Sequence, residues 1–256
     1  METPDTTWTE PALPPRLGAR DVQVWRFPVD LPSVTLDRCR ERLTASERDR
    51  ADRFVQEADR RRFTVARCGL RLLLARHLER NPHELTFTDG PHGKPGLADT
   101  DPDDTREFNV SHAGGFALIA VARKRPVGVD LEPADRDIEP DDLAPRVLSA
   151  AETADLAGHV GARRLRRFLE IWTVKEAVVK ALGRGISFPL SSFTVGIAPS
   201  GDVNLSGPDA CGDLAGIEVV SLAPSDGYVG AVAIRGSDFR LQRFSGACLL
   251  EHAPRE

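Results

Sequence analysis

The sequence predicts an α+β protein of two similar subdomains, each a long helix packed on a small, mainly antiparallel sheet. Two stretches, 59–79 and 163–182, repeat apolar residues at helical spacing. Each is followed by short strand-like runs separated by Gly and Pro turns, so helices precede strands twice along the chain. At 256 residues the chain is long enough to bury two cores of this kind.

Residues 1–20 contain Pro4, Pro11, Pro14 and Pro15 without apolar periodicity and are expected to be a mobile lead-in. The N-terminal subdomain is placed at 21–125, with the fold beginning near Val22. Helices are expected over 46–56 and 59–79. In the second, Phe63, Ala66, Leu70, Leu73, Leu74, Ala75 and Leu78 share one face, and Asn81-Pro82 ends it. Strands are expected over 85–88, 107–110, 116–122 and 127–131. The C-terminal subdomain is placed at 126–256. It opens with Ser149-Ala-Ala-Glu152, a capping box, and continues with a helix over 163–182 that stops at Gly183. Strands follow over 192–197, 217–222, 228–234 and 239–244.

A formal charge of −5 argues against a general nucleic-acid binder, which needs excess Lys and Arg for phosphates. The charge is uneven: 38–80 is rich in Arg, while 99–107 and 130–142 are rich in Asp and Glu, so one basic and one acidic surface are expected. Cys39, Cys68, Cys211 and Cys248 form no Cys-x-x-Cys pair and read as reduced structural thiols. The first residues resemble no secretory signal, and the apolar run 116–122 is too short to span a bilayer. A cytoplasmic monomer without membrane contact is expected.

Only four of the 34 basic residues are lysines: Lys94, Lys124, Lys175 and Lys180. An ammonium is a compact point charge, unlike the planar fork of Arg. Two of the four lie in the segment running from Trp172 to Gly185. There Glu176 and Lys180, four apart on a helix with Trp172 one turn earlier, read either as an exposed stabilising pair or as a functional stripe. Asp130 and Glu132 alternate along a strand, so both carboxylates share one face. They suit Mg²⁺, though the pair also reads as a solvated strand end. Ser111-His112 are adjacent on a strand and face opposite ways, which disfavours a Ser-His nucleophile. Their surroundings, Phe108 to Gly115, form either a turn or a mouth where an anion could approach. The turn Gly90-Pro91-His92-Gly93-Lys94-Pro95 lacks the spacing of an ATPase phosphate loop. It could still present Lys94 to a phosphate.

Gly93-Lys94-Pro95, Phe108-Asn-Val-Ser111-His112, Gly128-Val-Asp130-Leu-Glu132 and Trp172-Thr-Val-Lys175-Glu176-Ala-Val-Val-Lys180-Ala-Leu-Gly183-Arg-Gly185 occur in this order over residues 93–185. Jointly they resemble the 4′-phosphopantetheinyl transferases of the surfactin-synthetase type. The resemblance implies a pseudo-dimer of two α/β halves with the active site between them. It also implies transfer of 4′-phosphopantetheine from coenzyme A to a serine of an acyl or peptidyl carrier protein, releasing adenosine 3′,5′-bisphosphate. The carriers would belong to polyketide, nonribosomal-peptide or fatty-acid synthases. By the same resemblance, Asp130, Glu132 and Glu176 match Mg²⁺ ligands. Ser111, His112, Lys180 and Lys94 match coenzyme-binding positions, with His112 and Lys180 on phosphate oxygens and Glu176 accepting the serine proton. Arg50 and Arg62 fall near positions that hold the 3′-phosphate. A further basic position of the family is occupied here by Glu47, and a small hydroxyl position by Phe63. Two other functions remain compatible with these residues: a Mg²⁺-dependent nucleotide or coenzyme A phosphohydrolase, and a non-catalytic coenzyme-binding module.

Overall fold

The structure, a computed structural model, describes residues 7–90, 92–98, 101, 105–185, 188–207 and 209–252, with backbone alone at 209–211 and 252. Met1 to Thr6 of the lead-in, most of the acidic stretch 99–107 and the Cys211 side chain lie outside the described residues. The chain forms two compact units: 1–88 with 95–124 and 239–256, and 89–94 with 125–238.

In the first unit, strand β1 (Asp21–Pro28) is followed by helices α1 (Ser33–Glu41), α2 (Ala45–Asp52) and α3 (Glu57–Leu78). Thr44 caps α2 in a reciprocal box with Glu47, which starts this helix one residue before the expected position. Helix α1 was not expected, because only Thr35 and Cys39 are buried on it and no side chain caps it. After α3, Asn81 caps a short 3-10 turn, Pro82–Glu84, and the strand expected over 85–88 forms at 87–89. Strands β2 (Phe87–Asp89) and β3 (Pro95–Leu97) form a small ladder. Strands β4 (Arg106–Ala113) and β5 (Phe116–Arg123) form an antiparallel hairpin turned by Gly114 and Gly115. Beyond β5, Lys124 takes a left-handed conformation, φ 53°. Helix α3 packs on β1, β4 and β5, burying Leu70, Leu73 and Leu74 with Trp25, Phe27 and Ile119.

The second unit begins its main sheet with β6 (Val127–Pro133) and continues with α4 (Pro140–Val147), α5 (Ala150–Ala157) and α6 (Gly161–Leu182). Pro140 opens α4, but Pro145 inside it hid this helix from a reading by pattern. Strands β7 (Thr194–Ile197) and β8 (Val203–Ser206) pair with each other. Strands β9 (Ile217–Leu222) and β10 (Tyr228–Arg235) complete an antiparallel sheet of order β6-β10-β9. Helix α6 lies across β6 and β10, with Phe168, Leu169, Ile171, Val174 and Val178 against Val229, Ala231 and Ala233. Both α3 and α6 have 22 residues, so each unit is a long helix on a small sheet.

The chain end departs from that plan. Strand β11 (Arg240–Ser245) pairs in parallel with β1, and α7 (Ala247–His252) follows it, giving the order β11-β1-β5-β4. Thus 239–256 groups with the first unit and not, as chain order suggests, with the second. Residues 7–17 are also tied down: Thr9 bridges Phe244, the Cys248 amide donates to Glu10, and Leu17 is buried.

Candidate active site

The acidic pair of the β6 motif sits on the strand face turned toward α6. Alternation puts Gly128, Asp130 and Glu132 on that side. At Gly128 strand and helix meet with no room for a side chain: a Cβ there would lie 2.1 Å from the Ala177 carbonyl oxygen and 2.4 Å from the Ala181 nitrogen. Two residues on, Asp130 is buried and Lys180 Nζ donates to its Oδ1 at 2.6 Å, and to the Val129 carbonyl at 3.3 Å. Lys180 therefore reaches from helix to strand, beyond the role of a helix-surface partner for Glu176.

Helix α6 ends just past these residues. Gly183 at φ 66° donates to the Lys180 carbonyl and Arg184 to that of Val179, so Lys180 lies in the last turn, where the helix dipole favours a cation. Glu176, one turn back, has its carboxyl raised by burial, with Lys180 opposing and Asp130 adding to the rise. The Glu132 carboxyl is raised to about 7, first by burial. Arg136 and Lys180 pull it down, while Asp130 and Glu176 push it up. Three carboxylates thus feel one another's charge, with two cations among them.

Lys94 belongs to the same unit. The turn closes through Gly93 to Gly90 and Gly90 to Lys94 backbone bonds, and Gly93 adopts φ 78°. From it the Lys94 ammonium donates to the Val127 carbonyl at 3.1 Å, at the head of β6. The structure thus assembles Lys94, Asp130, Glu132, Glu176 and Lys180 around β6 and the end of α6. Lys175, beside them in sequence, points the other way and is fully buried in the core.

Among the described residues no three His, Cys, Asp or Glu side chains stand ready as ligands of one metal ion. Instead Asp130 is bonded to Lys180, and Glu132 to Arg136. The donor chemistry nevertheless fits a hard divalent cation. Clustered carboxylate oxygens raise one another's proton affinity, and Mg²⁺ asks for only one or two of them while keeping its waters.

The remaining expected residues lie in the first unit. On β4, Ser111 is buried and His112 exposed, the opposite facing that alternation predicts. Arg62 on α3 bonds Asp59 at 2.5 Å and the Gly114 carbonyl of the β4–β5 turn at 3.4 Å, which brings it to the end of the Ser111-His112 strand. Arg50 is exposed on α2, its guanidinium 5.4 Å from the Phe63 ring centroid. Much of the arginine-rich stretch is not an open basic surface. Arg71 is buried, held by both oxygens of Glu47 at 2.7 and 2.8 Å, and Arg67 approaches the same carboxylate. Glu47 thereby serves as helix cap and as counter-ion of a core arginine.

Two residues carry more of the site than the sequence disclosed. Gly128 was visible in its motif, yet its contact with α6 depends on which helix crosses the strand. Arg136 follows Glu132 by four residues, but in a turn, where helical spacing rules give no signal.

Residues 126–233 match the family described as the 4′-phosphopantetheinyl transferase superfamily, and residues 33–124 match the 4′-phosphopantetheinyl transferase N-terminal family. The chain is 33% identical over 225 residues to the 4′-phosphopantetheinyl transferase HetI of a Nostoc species, covering 87% of this chain and 92% of that one. It is 29% identical over 171 residues to the 4′-phosphopantetheinyl transferase Sfp of Bacillus subtilis, covering 66% and 72%. A crystal structure of holo-[acyl-carrier-protein] synthase from Neisseria meningitidis aligns with 44% of this chain and 98% of its own, at 18% identity and TM-score 0.37.

Proposed function

Because the chain belongs to the 4′-phosphopantetheinyl transferases, we propose that it moves the phosphopantetheine group of coenzyme A onto a serine hydroxyl of an acyl or peptidyl carrier protein. The observation that carries this reading is the cluster of Asp130, Glu132, Glu176 and Lys180 where β6 meets the last turns of α6. It is the arrangement that transfer of a phosphoryl-linked group requires: carboxylates for a cation, an ammonium for phosphate oxygens, and a raised carboxyl to take a proton.

In the proposed reaction the serine oxygen attacks the phosphorus that bears the pantetheine arm. The bond to the bridging oxygen breaks, and adenosine 3′,5′-bisphosphate leaves with the electron pair. Asp130, Glu132 and Glu176 would hold Mg²⁺, which supplies charge neutralisation at the pyrophosphate. Glu176 accepts the serine proton, directly or through a water. Burial raises this carboxyl above its ordinary value, which makes it a stronger base than a solvated glutamate. Lys180 and His112 bind phosphate oxygens, Lys94 and Ser111 contact the coenzyme, and Arg50 and Arg62 bind the 3′-phosphate. The carriers are those of polyketide, nonribosomal-peptide or fatty-acid synthases, and the enzyme acts as a cytoplasmic monomer.

The test is to incubate the protein with Mg²⁺, coenzyme A and an apo carrier protein and to weigh the carrier. Addition of one phosphopantetheinyl group to the carrier serine is the expected result. Coenzyme A consumed without any carrier would identify a phosphohydrolase. Binding without turnover across fatty-acid, polyketide and peptide carriers would identify a non-catalytic module and refute the transferase.

A further inference from the structure

Of the three carboxylates, Asp130 is held from the side by Lys180, and Glu176 is carried on a helix. Glu132 is near the end of β6, with only Pro133 after it in the strand. Its side chain is nevertheless 14% exposed and lies among like charges, so it needs a partner to keep one orientation. That partner comes from the turn after β6. Ala134 donates to the Gly227 carbonyl at 2.7 Å, Arg136 to Pro133 at 3.2 Å and Ile138 to Arg136 at 2.9 Å, and the chain curls back on itself. The curl lays the Arg136 guanidinium against Glu132 Oε1. Its carbon is 6.0 Å from the ring centroid of Trp172, one turn before Glu176 on α6. One side chain therefore ties Glu132 to the helix that carries the third carboxylate.

Resting on the reading of Asp130, Glu132 and Glu176 as metal ligands, we infer that Arg136 is the positioning residue of this site. It holds Glu132 through Oε1, which leaves Oε2 as the ligand atom for the divalent cation. A ligating carboxylate that is itself hydrogen-bonded loses fewer orientations on binding, and loss of such outer partners typically weakens metal affinity by about 10–100-fold. The Trp172 ring adds a second restraint, because a guanidinium over an aromatic face is held both by charge and by stacking. This accounts for a feature that an ordinary surface ion pair leaves unexplained: Arg136 is 38% exposed, yet its partner is largely buried.

The experiment measures Mn²⁺ binding to the full chain by the loss of the free-ion EPR signal, without coenzyme or carrier. Arg136→Ala is expected to bind Mn²⁺ about 10–100-fold more weakly, and Arg136→Lys to recover part of the loss. Melting in EDTA should leave both variants within a few degrees of the parent. Should Arg136→Ala fail to fold, Arg136→Gln carries the same expectation. Unchanged or tighter Mn²⁺ binding in the Ala or Gln variant overturns the inference. Asp130→Asn and Glu132→Gln, run in the same assay, report on the site itself. If both bind like the parent, the metal reading fails and the Arg136 role with it. If both lose binding while Arg136→Ala keeps it, the Arg136 role alone fails.

Discussion

Lys175 places an ammonium where water does not reach it, and the surroundings explain how. Its Nζ donates to the carbonyls of Leu190 and Phe193 at 2.7 and 2.6 Å and pairs with Glu152 at 2.8 Å. Glu152 also accepts the Ser149 and Val195 amides, so one buried pair joins α5, α6 and the start of β7. Lys175→Met should lower stability by about 3–5 kcal/mol, because it strands a buried carboxylate. Urea unfolding reads this directly, and a loss below about 1 kcal/mol would show the pair to be dispensable. Lysine is scarce in this chain, but whether this one serves substrate or core depends on its direction from the helix, which spacing alone does not reveal. Lys180 is its proposed functional counterpart. Its ammonium fits between Asp130 Oδ1 and the Val129 carbonyl, a point-charge site, so Lys180→Arg should slow transfer at least about tenfold with the fold intact. Carrier-modification rates with circular dichroism check this, and parental turnover would refute it. His77 supplies a pH signature. Burial first, then Arg106 and Arg76, lower its pKa from 6.5 to about 4, so the folded chain binds fewer protons than the unfolded one between those values. Its contribution is complete above pH 6.5 and is lost as pH falls toward 4. Chemical denaturation of His77→Gln should show a shallower fall in stability across that window, and an identical slope would remove His77 as the cause.

At the scale of elements, the contact that builds the candidate site is β6 on α6. Gly128 allows it, and Gly128→Ala would place a methyl group inside backbone of α6 that cannot move aside cheaply. Overpacking of this kind typically costs about 1–3 kcal/mol, and a displacement of 1 Å at a reacting group can cost about 10²-fold in rate. Both a lower melting temperature and a large loss of transfer are therefore expected. Gly196→Ala on β7, where the nearest atom to an added Cβ is 3.9 Å away, is the control and should change neither. Comparable behaviour of the two variants would remove the close approach as the organising contact. Most long elements were legible because their faces are periodic: the capping box at Ser149, the stop at Gly183 and strand 217–222 all formed where pattern placed them. Helices α1 and α4 were not, since few of their residues are buried and α4 contains a proline.

For the whole molecule, the return of the chain end to the first sheet has a measurable consequence. Strand β11 covers the outer edge of β1, and Phe244 packs on Trp25 with centroids 4.6 Å apart and the rings tilted by 36°. A chain ending at Asp238 should lose the cooperative unfolding of the first unit and aggregate through the uncovered β1 edge. Thermal unfolding with light scattering tests this, and a parental transition would show the last segment to be an accessory. Nothing in the composition of 239–244 distinguishes a strand of the second sheet from one of the first, because pairing partners lie more than 200 residues apart.

Sequence by itself determined which residues are candidates for the chemistry and on which elements they ride. Periods of two and 3.6 residues are local, as are glycine stops, capping boxes and the facing of adjacent side chains. Tertiary structure alone decided where those side chains end: Lys175 into the core, Lys180 onto Asp130, Glu47 onto Arg71 and Arg136 onto Glu132. Each of these pairings is set by which backbone passes beside which, and a long charged side chain takes whatever opposite charge or carbonyl the fold brings within its reach.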